Sequence, residues 1–265
     1  MAVKYKRKEV EDLLTRKFFY VRAFEIYGGC SGYYDFGPLG ASLKTAVERV
    51  WRNHFILEED MLELNTTNMI LYDVLKTSGH VDKFSDFMVR DEKTNLPRRA
   101  DKLIQEAIQK QLAKAKKQED IDRLQKIEMD VENYSAEEID QCIIDLKIKD
   151  PDTGNALTKA VPFNLMFENN IGPSGYATGF LRPETAQGIF INFRRLIEYN
   201  NGRMPFAGAQ IGMGYRNEIA PRQGLLRVRE FTMAEIEHFY DPECKTHPKF
   251  SSIADHRIPL YSAAD

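Results

Sequence analysis

The clearest pattern of apolar and polar positions lies in residues 206 to 240. Phe206 to Glu218 alternates small or apolar residues and ends on Tyr215-Arg216-Asn217-Glu218, and Leu226 to Tyr240 contains no Gly or Pro. Between the two runs, Ala220-Pro221-Arg222-Gln223-Gly224 is turn chemistry. Pro presets one dihedral and Gly allows the reversal, so the segment is expected to form a long antiparallel hairpin.

Elsewhere the spacing is mostly helical. Val10, Leu13, Leu14, Phe18 and Phe19 predict an amphipathic helix over 9–22. Residues 26–39, rich in Gly and Tyr, read as a loop and short strand. A second helix over 40–58 places Leu43, Val47, Val50, Trp51 and Phe55 on one face, where core packing is the plainest role. Residues 100–150 are charged and helical, with Ile104, Ile108, Leu112 and Ala115 in register and Ser135-Ala136-Glu137-Glu138 as a capping box. Asp150 to Gly154 is a turn back to the core. Val161 to Phe167 alternates as a strand, and Gly172-Pro173-Ser174-Gly175 is a loop. Gly179 to Arg182 is a short strand, followed by a helix with Ala186, Ile189, Phe190, Phe193, Leu196 and Ile197 on one stripe, stopped by Asn200-Asn201-Gly202. The expected architecture is α+β: an antiparallel sheet flanked by helices, with a core in two parts (1–98 and 161–265) around a helical, charge-rich insertion (99–160).

Composition narrows the class. With 265 residues, 43% of them hydrophobic, the chain can bury a sizeable core. No apolar run is long enough for a membrane span, and the basic start lacks the apolar stretch of a secretory signal. Three cysteines, at 30, 142 and 244, have no metal-ligand spacing and suit a reducing cytoplasm. A net charge of -3 excludes a protein that coats nucleic acid indiscriminately, but permits local contacts to one RNA.

The hairpin carries the candidate chemistry. Alternation puts Arg227, Arg229, Phe231, Met233, Glu235 and Glu237 on one strand face, with Arg216 and Glu218 of matching parity. Cations at one end, an aromatic ring in the middle and carboxylates at the other suit a polyanion, a flat base and an ammonium group: a nucleoside triphosphate beside an amino acid. An exposed hairpin with scattered salt bridges would explain any one of these residues, but not the ordered set. Glu184 stands at a strand-to-helix junction, where helix capping alone would account for it.

Tyr215-Arg216-Asn217-Glu218 followed by Arg227-Val228-Arg229-Glu230-Phe231 resembles the second signature motif of class II aminoacyl-tRNA synthetases. Phe180-Leu181-Arg182-Pro183-Glu184-Thr185-Ala186-Gln187-Gly188 and Thr232-Met233-Ala234-Glu235-Ile236-Glu237-His238-Phe239 resemble the glycyl-tRNA synthetases of the dimeric kind, as does 74–88. The resemblance runs from about Phe18 onward and is weakest between Arg99 and Val161. It implies that the helix over 40–58 and the strand after it are the first class II motif, at a dimer interface, and it departs from the class pattern at Leu71, where a proline is usual. The third class II motif does not occur and no anticodon-binding domain follows Asp265. The chain is therefore expected to be the N-terminal part of such an enzyme.

The resemblance implies activation of glycine by ATP with Mg²⁺ to glycyl-adenylate, then transfer to the terminal ribose of tRNA(Gly), in a cytoplasmic homodimer. It implies that Arg216 contacts the α-phosphate and the glycine carboxylate, and that Arg227 reaches the β/γ end. Phe231 would stack on adenine and Glu218 accept from its amino group, with Asn217 and the backbone of Val228 lining the nucleotide. Glu184 and Glu235 would hold the glycine ammonium, with Glu237 the next candidate; a salt bridge from Glu235 to Arg182 is the plainer alternative. No metal ligand from the protein is implied. His80 and Asp82 read as structural or RNA-proximal. The rival functional reading is a synthetase-like paralogue that binds tRNA or a protein partner without catalysis. A ligase for Ser, Thr or Pro is disfavoured by the flanking segments.

Overall fold

The structure is a computed structural model that describes residues 6–115, 117–173, 175, 177–221 and 223–260. Ser174 of the expected 172–175 loop, Arg222 of the hairpin turn and the first residues of the basic start lie outside the described residues.

The chain begins with α1 (Arg7–Arg16), β1 (Tyr20–Arg22), β2 (Tyr34–Phe36) and α2 (Pro38–Arg52). The first helix is shorter than its apolar spacing suggests. Phe18 takes a left-handed backbone conformation (φ 49°), which ends the helix and lets residues 20–22 pair with β2. Helix α2 runs on as a wider turn through Asn53–Glu58. Next come β3 (Leu62–Glu63), β4 (Met69–Leu71), α3 (Tyr72–Thr77), α4 (His80–Lys83), β5 (Ser85–Arg90) and β6 (Pro97–Arg99). The charged region forms α5 (Ala100–Leu112), α6 (Gln118–Asp130) and α7 (Ala136–Asp145). The chain continues with β7 (Val161–Asn164), β8 (Phe167–Ile171), β9 (Ala177–Leu181), α8 (Ala186–Ile191), α9 (Phe193–Tyr199), β10 (Phe206–Tyr215) and β11 (Glu230–Phe239).

This is the expected α+β class, with every pairing antiparallel except β10 with β3. Hydrogen bonding divides the described strands into four small sheets: β1-β2, β11-β10-β3, β4-β9-β8 and β6-β5-β7. The expected strand over 161–167 is two strands in different sheets, and the expected single helix after Arg182 is two, broken at Asn192.

Two apolar clusters matter for the site. One is built by α5, α6 and α7, where Ile104, Ile108 and Ile139 are fully buried and Val89 of β5 joins them. Ser135 caps α7 as its sequence predicts: its side chain accepts the Glu138 N–H, and the Glu138 carboxylate accepts that of Ser135. The other cluster, Ile189, Leu196 and Phe206, fastens α8 and α9 to the start of β10. Core packing does not describe the outer face of α2. Leu43, Val47 and Val50 are exposed, and Leu43 and Val47, with Ile211 and Ala234 of the hairpin, border an apolar groove of about 470 Å³.

Candidate active site

β10 and β11 pair in unbroken register from Phe206↔Phe239 to Tyr215↔Glu230. Opposite residues share a face, so Gly212 and Gly214 lie beside Met233 and Phe231. The glycines are there for room. A Cβ on Gly212 would stand 2.2 Å from Arg182 Nη2, and one on Gly214 would stand 2.9 Å from the Phe231 ring.

Arg182 is 1% exposed and spends its guanidinium on the backbone. It donates to Met213 O (2.8 Å), Thr66 O (3.0 Å) and Thr67 O (3.2 Å). It therefore ties β9, β10 and the 66–67 segment together. The salt bridge from Arg182 to Glu235 does not form. Glu235 Oε2 instead accepts the backbone N–H of Thr185 (2.5 Å) and the Thr185 hydroxyl. The carboxylate that satisfies the start of α8 is thus Glu235, arriving from β11, and not the neighbouring Glu184.

Glu184 is held differently. Its Oε1 accepts from Gln187 Nε2 at 2.6 Å and lies 3.3 Å from His80 Nε2. Glu237 completes the group: burial, then the charges of Glu235 and Glu184, push its carboxyl above the usual range. Among the described residues no Lys or Arg forms an ion pair with any of these three carboxylates.

Arg216 sits between two aromatic rings. Its guanidinium carbon is 5.3 Å from the Phe231 ring centre and 5.7 Å from that of Phe84, and its Nε donates to Pro183 O at 3.3 Å. The structure thus brings Arg216, Phe231, Glu184 and Glu235 into one neighbourhood.

Glu218 and Arg227 lie beyond the paired strands. β11 begins at Glu230, and Arg227 follows a 3-10 turn over Gly224–Leu226, so strand parity does not place it. Arg227 Nη1 is 3.6 Å from Glu218 Oε2, which puts the two side by side and not at opposite ends of an array. Arg229 is also outside the expected ordered face: it donates to Glu218 O (2.7 Å) and Ser31 O (2.7 Å), stapling two loops. Asn217 N–H donates to Leu165 O at 2.7 Å, and Val228 is half-buried. A groove of about 800 Å³ opens beside Glu218 and Arg227 and is walled on its far side by Arg99, Lys102 and Glu106.

Phe84, under Arg216, was not singled out in the sequence, and His80, read there as structural or RNA-proximal, lies beside Glu184; both come from one short helical turn distant in sequence. Arg182 had a faint signal: a charged residue closing an apolar strand directly before Pro183. Asp82, read with His80, turns away and pairs with Lys76 at 2.6 Å.

No family model matches the chain. Its sequence is 52% identical over 266 residues to the glycine–tRNA ligase of Caenorhabditis elegans, covering 98% of this chain and 35% of the relative. Glycine–tRNA ligase 2 of Saccharomyces cerevisiae is 50% identical, with 97% and 42% covered. The glycine–tRNA ligase of Methanocaldococcus jannaschii is 42% identical, with 97% and 41% covered. Nearly the whole chain is thus homologous to part of the glycine–tRNA ligases. It spans 35–42% of the length of these relatives. Among solved structures, Giardia lamblia prolyl-tRNA synthetase in complex with prolyl-adenylate is similar at a TM-score of 0.48 and 13% identity, covering 93% of this chain and 33% of that one. All the glycine–tRNA ligase motifs quoted from this chain, apart from residues 74–88, fall on or directly beside β9, α8, β10 and β11.

Proposed function

We propose that the protein carrying this chain is a glycine–tRNA ligase and that the face of the hairpin is its glycine- and ATP-activating site. The observation that carries the reading is the grouping of Glu184, Glu235 and Glu237 with no Lys or Arg ion pair among the described residues, next to the ring-clamped Arg216. Three carboxylates together are costly unless a cation joins them, and an amino acid's ammonium group is such a cation. Glycine offers almost no apolar surface, so its ammonium must supply much of the affinity, while steric closure over its α-carbon rejects larger amino acids.

In the first step a glycine carboxylate oxygen attacks the α-phosphorus of ATP; the bond to the bridging oxygen breaks and pyrophosphate leaves. In the second, a hydroxyl of the terminal tRNA ribose attacks the adenylate carbonyl, its proton is lost and AMP leaves. Neither step needs a side-chain nucleophile; positioning and charge stabilisation suffice. Arg216 holds the glycine carboxylate and the α-phosphate together. Phe231 offers its ring to adenine, Glu218 accepts from the adenine amino group, and Asn217 and the Val228 backbone line the base. Arg227 exchanges the Glu218 carboxylate for β- or γ-phosphate oxygens. Glu184 and Glu235 receive the ammonium.

Among the described residues no three His, Cys, Asp or Glu side chains are placed to hold a metal ion. Bound with the nucleotide, Mg²⁺ would screen the charge of the triphosphate. No helix among the described residues is long and apolar enough to cross a membrane. The family resemblance supports a cytoplasmic homodimer acting on tRNA(Gly). The core falls in two parts, 1–98 and 161–265, with 99–160 as an insertion. The test is ATP–pyrophosphate exchange by the protein carrying this chain, run with each amino acid in turn. Exchange with glycine alone is expected; exchange with serine, threonine or proline, or with none, overturns the reading.

A further inference from the structure

We propose that His80 is a positioning residue for Glu184, fixing one carboxylate oxygen so that the other is presented to the substrate ammonium; this rests on the glycine-binding reading of Glu184. His80 opens α4 directly after Gly79, whose left-handed backbone (φ 84°) turns the chain sharply there. Its Nε2 lies 3.3 Å from Glu184 Oε1, and its Nδ1 lies 2.9 Å from Ser78 Oγ. The ring also packs on Phe84, with centroids 5.3 Å apart. The His80 side chain is 14% exposed, so the imidazole is held by packing as well as by its two polar neighbours.

The proton arrangement follows from the partners. An ionised carboxylate only accepts, so Nε2 must carry a hydrogen. The Ser78 hydroxyl meets Nδ1 as donor when the ring is neutral and as acceptor when it is charged. In both states Nε2 carries a hydrogen and stays within ion-pair distance of Glu184. Gln187 Nε2 approaches the same Oε1 at 2.6 Å. A hydrogen bond from α8 and an imidazole from α4 thus meet at one oxygen. Among the described residues Glu184 Oε2 has no protein partner, which leaves it as the acceptor for an ammonium group. Glu235 is built on the same plan, with Oε2 tied to Thr185 and Oε1 left over.

The test compares three replacements in the protein carrying this chain. The Gln amide nitrogen reaches the position of Nε2, whereas that of Asn reaches only the position of Nδ1. His80→Gln should hold the glycine KM near wild type. His80→Ala and His80→Asn should raise it roughly tenfold, the loss of one polar contact to a charged group, with the ATP KM nearly unchanged. Equal constants for the Asn and Gln variants overturn the proposal, as does an effect that falls as heavily on ATP as on glycine, since His80 would then act through Phe84 and Arg216. A second measurement needs no activity: the ring-nitrogen NMR signals of His80 should move on Glu184→Gln, and unmoved signals reject the contact. Failure of the glycine reading looks different, because the unmutated protein would then show no glycine-dependent exchange while the ring signals still decide whether His80 meets Glu184.

Discussion

Glu235 accepts the backbone N–H of Thr185 at 2.5 Å, which joins the middle of β11 to the start of α8 through one carboxylate oxygen. A single residue therefore closes the fold at this point and offers its second oxygen to the site. The two jobs separate by substitution. Glu235→Gln keeps an acceptor for Thr185 and removes the charge. The glycine KM should rise tenfold or more, for a charged hydrogen bond of about 1.5–3 kcal/mol, while ATP binding without glycine changes little. Glu235→Ala also removes the cap and should cost a further ~1 kcal/mol in thermal unfolding. A glycine constant unchanged in the Gln variant would make Glu235 a cap and nothing more.

Glu237 makes the site sensitive to pH. Its folded pKa is raised, chiefly by burial and then by Glu235 and Glu184, above the ordinary value of 4.5. Its contribution to stability is therefore fully present below that value and is lost as pH rises through the raised pKa. Glu237→Gln removes this loss. The variant should match the wild-type melting temperature near about pH 4 and exceed it increasingly toward about pH 7. Parallel melting curves across that range would show that the three carboxylates do not repel one another.

A buried ion pair joins β6 to the turn after the helices, on the wall of the groove beside Glu218 and Arg227. Arg98 donates to both oxygens of Asp150, at 2.7 and 2.9 Å, and to Asp152 at 2.7 Å. Asp150 also accepts the backbone N–H of Asp152 and Thr153. Asp150→Asn leaves the guanidinium short of charge in a buried setting and should cost about 3 kcal/mol. Glycine and ATP constants of the folded enzyme should not move. A change in either constant would couple the 99–160 region to the site.

How far the sequence carried the reading depends on how local each cause is. The hairpin was legible because period-two alternation and a Pro-Gly turn are written in adjacent residues, and the α7 cap because its box spans four. The early end of α1 was not legible: it rests on Phe18 in a left-handed conformation that its apolar spacing does not announce. The parity argument placed Phe231 and Glu235 on a common face, yet failed at Arg227 and Arg229, which precede the paired strand. The partners of His80 and Phe84 were opaque because Glu184 and Arg216 come from distant segments and meet them only in the fold.

Arg216 gives the sharpest separation between charge and shape. Its guanidinium lies between Phe84 and Phe231 and also reaches Pro183 O, so its plane is fixed before substrate arrives. Removing it altogether, in Arg216→Ala, takes away a preorganised donor to the transferring phosphoryl group and should lower adenylate formation by a factor of roughly a hundred or more. Arg216→Lys keeps the charge but not the plane: an ammonium is a compact, strongly hydrated point charge that neither stacks between rings nor binds two oxygens at once. If the clamp matters, lysine should recover little of the lost rate. Phe231→Leu completes the set, because it keeps apolar volume while removing one ring face. It should raise the ATP KM more than the glycine KM, through lost stacking on adenine, and also lower the rate modestly as the guanidinium loses one wall. Pyrophosphate exchange with all three variants, at saturating glycine and then at saturating ATP, distinguishes the cases. Near-normal rates for Arg216→Lys would show that charge alone is needed, and would reduce the two rings to packing.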